Sequence, residues 1–287
     1  MNRQQPPNNG NGKQTTERGV SDAIGFTLMF SIIIVGVGLI SLAGGTQITD
    51  LSDAEELHSA ERGMQSTAAT LQPMATNGDL QRSFSLAFSN SNIWMNQSTL
   101  NITAADNSVN YPALDISSFE QRFDRSNGDI TIRYEGGGVF RDNAIPAYDP
   151  MFTCREGPGG TNTAIVTVVN LTLAERDGLY ISQGYNPNVR FNEFAGTDEA
   201  PVSNTDKTLN FDATLVSTEA NRSESDTELY VNTSQTAGPD QWDIYFENKE
   251  SWESKTNPEH VHKCDVDQTL IRVVTIEVEI IEPRFSN

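Results

Sequence analysis

The sequence predicts an α+β chain in which a long N-terminal hydrophobic helix precedes a mainly antiparallel β-sandwich domain. Three observations carry that expectation. Twenty residues from Ile24 to Ala43 (IGFTLMFSIIIVGVGLISLA) include no charge. Past Gly78 the apolar period changes from helical to alternating. Many strand-like runs then follow through turn-rich connections, with no helices alternating between them.

Residues 1–17 (MNRQQPPNNGNGKQTTE) have no apolar side chain after Met1 and cannot contribute to a core. As an α-helix the uncharged run spans roughly 30 Å, the thickness of a bilayer's hydrocarbon layer. Gly25, Gly36 and Gly38 suit a helix in lipid or packed on other helices. Arg3, Lys13 and Arg18 precede the run, while Asp50, Asp53, Glu55 and Glu56 follow it. The positive-inside rule therefore places the N-terminus in the cytoplasm and the bulk of the chain outside. Beyond Asp50, Leu51, Ala54, Leu57, Ala60, Met64, Ala68 and Leu71 hold one helical face, and the first firm stop is Pro73 with Asn77-Gly78 after it. A helix from about Ser21 to Ala75 would be a stalk of roughly 80 Å. The expected organisation is a cytoplasmic, cleaved leader over 1–19, a transmembrane and stalk helix over 20–77, and an extracellular β domain over 78–287.

Within that domain Phe84, Leu86 and Phe88 alternate with Ser83, Ser85 and Ala87, Leu100 and Ile102 with Thr99, Asn101 and Thr103, and Ile130, Ile132 and Tyr134 with Asp129, Thr131, Arg133 and Glu135. Gly136-Gly137-Gly138 reads as a hairpin turn, and Thr163 to Leu173 is apolar and β-branched enough for a central strand. Further strands are expected near 189–194, 208–216 and 227–232. From Gln268 to Glu282, Val274, Ile276, Val278 and Ile280 share one face, with Thr275, Glu277 and Glu279 opposite. Pro239 to Glu247 breaks the pattern: a proline in the first turn, early acids, and Trp242, Tyr245 and Phe246 at helical spacing predict a short helix on the sheet.

The formal charge is −20, from 39 acidic and 19 basic residues, and only five of the bases are lysines. Phosphate binding needs clustered Lys and Arg, so a nucleic-acid role is excluded. Acid spread along the chain repels itself unless salt screens it, which points to a halophile.

The residues around Gly19 admit three readings. Ser41-Leu42-Ala43 offers an ordinary signal-peptide site, behind a core longer than such peptides use. A plain signal anchor fits the length. A protease at the cytoplasmic face that cuts between Gly19 and Val20 accounts for Arg18 and Gly19 directly before an apolar helix. The stretch from Arg18 to Gly44, RGVSDAIGFTLMFSIIIVGVGLISLAG, resembles the class III signal and N-terminal helix of archaeal type IV pilins, in particular the haloarchaeal RGVSPVIG type, with Asp22-Ala23 in place of its Pro-Val. DAEELHSAERGMQ and GGGVFRDN are also similar to haloarchaeal pilin-like exported proteins. The resemblance implies cleavage after Gly19 by a prepilin peptidase, a mature chain starting at Val20, insertion into membrane lipid, and packing against other pilin subunits. The expected role is a surface structural or adhesive subunit. A singly anchored extracellular ligand-binding module that does not polymerise is the alternative.

Candidate chemistry is sparse. Export makes a disulfide between Cys154 and Cys264 the expectation for the two cysteines. On a strand, His260, His262 and Cys264 would share one face and could converge on zinc or copper, but a bonded Cys264 leaves two imidazoles, so no metal is expected. Glycine clusters at 136–138 and 157–160 lack a following helix or Lys-Ser/Thr and read as turns. With no nucleophile elbow and no convincing general base, neither catalytic residues nor a cofactor are expected. Sequons at Asn96, Asn101, Asn170, Asn221 and Asn232 become glycosylation acceptors if the domain is exported.

Overall fold

Helix α1 occupies Glu17–Asn77 of the computed structural model, which describes residues 17–87, 91–123, 125, 128–142, 144–157, 160–174, 208–255 and 258–281. The expected strand near 189–194 lies outside the described residues, as do Phe88 and most of the leader. The chain divides into two compact units, 1–55 and 56–287. Past Glu56 the apolar stripe of the helix is core: Leu57, Ala60, Met64, Ala68, Leu71, Met74 and Ala75 are all buried. Ala54, expected on the same stripe, is exposed.

In the second unit the helix lies close to the strands. A Cβ at Gly63 would stand 3.3 Å from Leu86 Cδ2. Ion pairs Glu56–Arg125 and Glu61–Arg141 flank the stripe, and Tyr148 Oη donates to Gln72 Oε1 at 2.6 Å. Pro73 does not end the helix, which continues to Asn77. It stops where Gly78 turns left-handed (φ +77°) and Arg272 donates to the free carbonyls of Ala75 and Thr76.

Among the described residues ten strands follow: β1 (Gln81–Ala87), β2 (Ser91–Ala104), β3 (Asn110–Phe123), β4 (Ile130–Glu135), β5 (Gly138–Arg141), β6 (Met151–Glu156), β7 (Asn162–Leu173), β8 (Thr208–Gln235), β9 (Glu253–Lys255) and β10 (Val261–Ile281), with helix α2 (Pro239–Glu247) between β8 and β9. They form one hydrogen-bonded sheet in the order β5-β4-β3-β2-β8-β10-β7-β6, with β1 added on β8 and β9 on β10. All pairings are antiparallel except β7 with β10. The domain is therefore a mostly antiparallel, sandwich-like sheet. Its layering comes from curling: β3 and β7 approach each other although β2, β8 and β10 lie between them on the path.

The two strands expected at 208–216 and 227–232 are one, the 28-residue β8. Its polar middle stays in the ladder because β10 pairs with it from Asn210 to Asn232 through two register shifts, and a ladder needs only backbone groups. Two apolar cores lie on the two faces of the sheet. One joins α1 to Phe84, Phe119, Phe211, Val274, Ile276 and Val278. The other places Trp242 and Phe246 of α2 over Leu100, Ile102, Val166, Leu229 and Ile271. In β7 the neighbours Val168 and Val169 enter different cores, as a central strand requires. The β4–β5 hairpin turns on Gly136 and Gly137, both at positive φ (+61° and +102°), the pattern that suits a two-residue turn. A Cβ on Gly136 would stand 3.0 Å from the Trp242 ring.

Candidate functional site

In the first unit the described apolar side chains of α1 are exposed. Ile24, Phe26, Leu28, Met29, Phe30, Ile32, Ile33, Ile34, Val35, Val37 and Leu39 all lie at the surface, Phe26 at 71 % and Ile32 at 70 %. At 100° per residue these positions go right round the helix, so this segment has no polar face. Ser31 Oγ satisfies itself on Thr27 O at 2.7 Å, an intrahelical bond that needs no water. A Cβ on Gly25, Gly36 or Gly38 would meet nothing within 4 Å. Arg18, Gly19 and Val20 lie in the first turn of α1. Among the described residues, no helix is long and apolar enough to cross a membrane.

A second arrangement forms where α2 meets the start of β10. Cys154 of β6 is disulfide-bonded to Cys264 of β10, which removes the thiol from the His260-Val261-His262-Lys263-Cys264 set. His262 is buried in the strand, stacked on Phe246 with ring centroids 4.0 Å apart. Its Nδ1 lies 3.0 Å from Ser254 Oγ, its cross-strand neighbour on β9. Burial, aided by the charge of His260, pushes His262 down to about 4. His260 precedes the strand in the left-handed region (φ +60°), and its Nδ1 lies 2.7 Å from Asp243 Oδ2. Burial raises Asp243 above the usual carboxylate value, and its bond to His260 opposes that shift. The other Asp243 oxygen lies 3.0 Å from His262 Nε2. Asp240, one helical turn earlier, completes a group in which one ligand atom each of Asp240, Asp243 and His260 lie within 4.8 Å of one another. Lys263 points elsewhere, held above its ordinary value by hydrogen bonds to Asp265, Glu228 and Glu253.

A polar cleft of about 310 Å³ opens between β2, β3, β4 and the end of β8, lined by Asn96, Ser98, Glu120, Arg122, Arg133 and Gln235 among others. Arg133 is held by Gln241 Oε1 at 2.8 Å and Asp142 Oδ1 at 3.0 Å, while its buried Nε has no hydrogen-bond partner. Beneath the cleft the fully buried Glu135 accepts from Ser98 Oγ, the Ala237 amide and Trp242 Nε1. Arg122 covers the ring of Trp94 at 4.5 Å, and Trp252 is buried in the second core. Neither tryptophan is an open stacking platform.

A family model matches residues 18–280, most of the chain and both units. The chain belongs to the Family of unknown function (DUF7289). No curated protein and no solved structure matches it. In this DUF7289 member all five sequon asparagines lie on strands: Asn96 and Asn101 on β2, Asn170 on β7, Asn221 and Asn232 on β8. Asn96 opens into the cleft, but the hydroxyl of its sequon, Ser98, is buried on Glu135. The Oδ1 atoms of Asn101 and Asn170 are buried without a partner, and that of Asn232 accepts the Ser234 amide. The α2–β10 group contains two acids, Asp240 and Asp243, that the sequence does not single out; their only signal is the three-residue spacing on a helix of known start.

Proposed function

We propose that this chain is a pilin-like surface subunit with a structural or adhesive role rather than a catalytic one, cut between Gly19 and Val20 by a prepilin peptidase and held in the membrane by its N-terminal helix, with the β domain outside the cell. The observation that carries the reading is the apolar girdle of α1, exposed around the whole helix from Ile24 to Leu39 and continued in sequence to Ala43. A segment with no polar face is stable only in lipid or against other apolar helices. The RGVSDAIG start, the basic residues before the run and the acids after it support the same orientation, and the shared family region begins at Arg18. The disulfide favours an oxidising compartment for the β domain.

The polar cleft favours a second reading, an anchored binding module that never polymerises. Mass spectrometry of the mature N-terminus, on protein from membranes and from sheared surface material, separates these ideas. The expected result is a chain starting at Val20 in both fractions. Protein that keeps residues 1–19, or starts beyond Ala43, defeats the processing. Protein that starts at Val20 but never leaves the membrane on shearing replaces the subunit with the anchored module.

A further inference from the structure

We infer that Asp240, Asp243 and His260 form a binding site for a divalent transition-metal ion of zinc type, with His262 buried behind Asp243. The ligand atoms of the three residues lie within 4.8 Å of one another. Atoms bound tetrahedrally at zinc distances stand roughly 3.3 Å apart, so small side-chain rotations bring them onto one ion. Two carboxylates with an imidazole suit zinc or its neighbours better than magnesium or calcium, which prefer all-oxygen shells.

A second, independent feature points to the same place. The His262 side chain is 1 % exposed, and its Nε2 stands 3.0 Å from Asp243 Oδ1. No hydrogen bond joins the two atoms, and neither has another hydrogen-bond partner. A buried nitrogen and a buried carboxylate oxygen left facing each other without a bond are costly. A cation bound to Asp243 supplies the partner that its carboxylate oxygen lacks. His262 is already oriented by Ser254 at Nδ1 and by the Phe246 ring, the kind of outer support that metal-bound groups receive. Asp240 is exposed, so the ion can enter from solvent and keep a coordination position open to it. Binding would tie α2 to the entry of β10, and it draws on none of the residues assigned to the membrane helix.

The test uses the full chain in detergent, without a polyhistidine tag, stripped with EDTA and titrated with ZnCl2 in molar KCl containing excess MgCl2. The expected result is one tightly held Zn2+ per chain and a higher melting temperature. Co2+ in place of zinc should give visible d–d absorption. Asp240→Asn, a surface change that leaves the core alone, and His260→Gln should each weaken binding at least about tenfold, whereas His58→Gln should leave it unchanged. The inference is overturned if wild-type protein holds no zinc, if magnesium displaces it, or if Asp240→Asn and His260→Gln proteins with wild-type metal-free melting bind zinc as well as wild type.

Discussion

His262 shows what a single buried side chain imposes on the molecule. Its folded value of about 4, against 6.5 in the open chain, means that the unfolded state takes up a proton first as the pH falls. The stability it confers is complete above pH 6.5 and is lost through pH 4, on the order of 3 kcal/mol before any offset. Asp243 acts in the opposite direction, since its raised folded value lets the native state bind a proton early. In EDTA-treated protein, the melting temperature of wild type should therefore fall more steeply between pH 6.5 and 4 than that of His262→Gln. Parallel curves would remove His262 from the account. At this scale the sequence is half legible. HVHKC marks both imidazoles, and the expected export marks Cys154 and Cys264, but Asp243 lies 17 positions from His260 and only the docking of α2 brings them together. The three donors on Glu135 are equally silent in sequence, because Ser98, Ala237 and Trp242 come from three separate segments.

Helix α1 changes regime along its length. Up to Leu39 its described apolar side chains face outward, and from Leu57 the same kind of residue is core. That difference sets the test of assembly. Among the described residues, and apart from the adjoining backbone of its own helix, nothing lies within 4 Å of a Cβ placed on Gly36 or Gly38, so Gly36→Leu with Gly38→Leu should leave the melting of the β domain, membrane insertion and the cut after Gly19 as in wild type. Helices that pack closely depend on small residues, and the double variant should be depleted from sheared filaments. Its recovery there at the wild-type level would show that the glycines are not a packing surface. Local pattern gave the short elements well: α2 starts at Pro239 as the proline and early acid predict, and β7 and the glycine hairpin fall where expected. It failed at β8, where the run of polar residues from Ser217 reads as a break. Pairing with β10, a tertiary matter, holds it in the ladder.

The whole molecule bears 39 acids against 19 bases. Its ion pairs use a few of these, and the remaining negative charge repels itself over distances that salt controls, about 10 Å at 0.1 M and about 3 Å at 1 M. The full chain in detergent is expected to melt progressively lower as KCl falls below about 1 M. A melting temperature that stays constant from roughly 0.1 to 3 M would refute the halophilic reading. Strand order belongs to this scale too, and alternation alone could not reveal it: a period of two says that a strand has an inner face, not which strand lies beside it. One consequence concerns timing. The last strand in sequence, β10, sits in the middle of the sheet between β8 and β7. While the chain is being made or threaded N-terminus first, the β2-to-β5 meander and the β6–β7 pair can each form, but the strand that joins them in one ladder is still missing. The Cys154–Cys264 bond can close only after that last strand docks. Oxidation thus acts as a latch on a finished domain, and a chain cut short before Val261 lacks the strand with which both β7 and β8 pair.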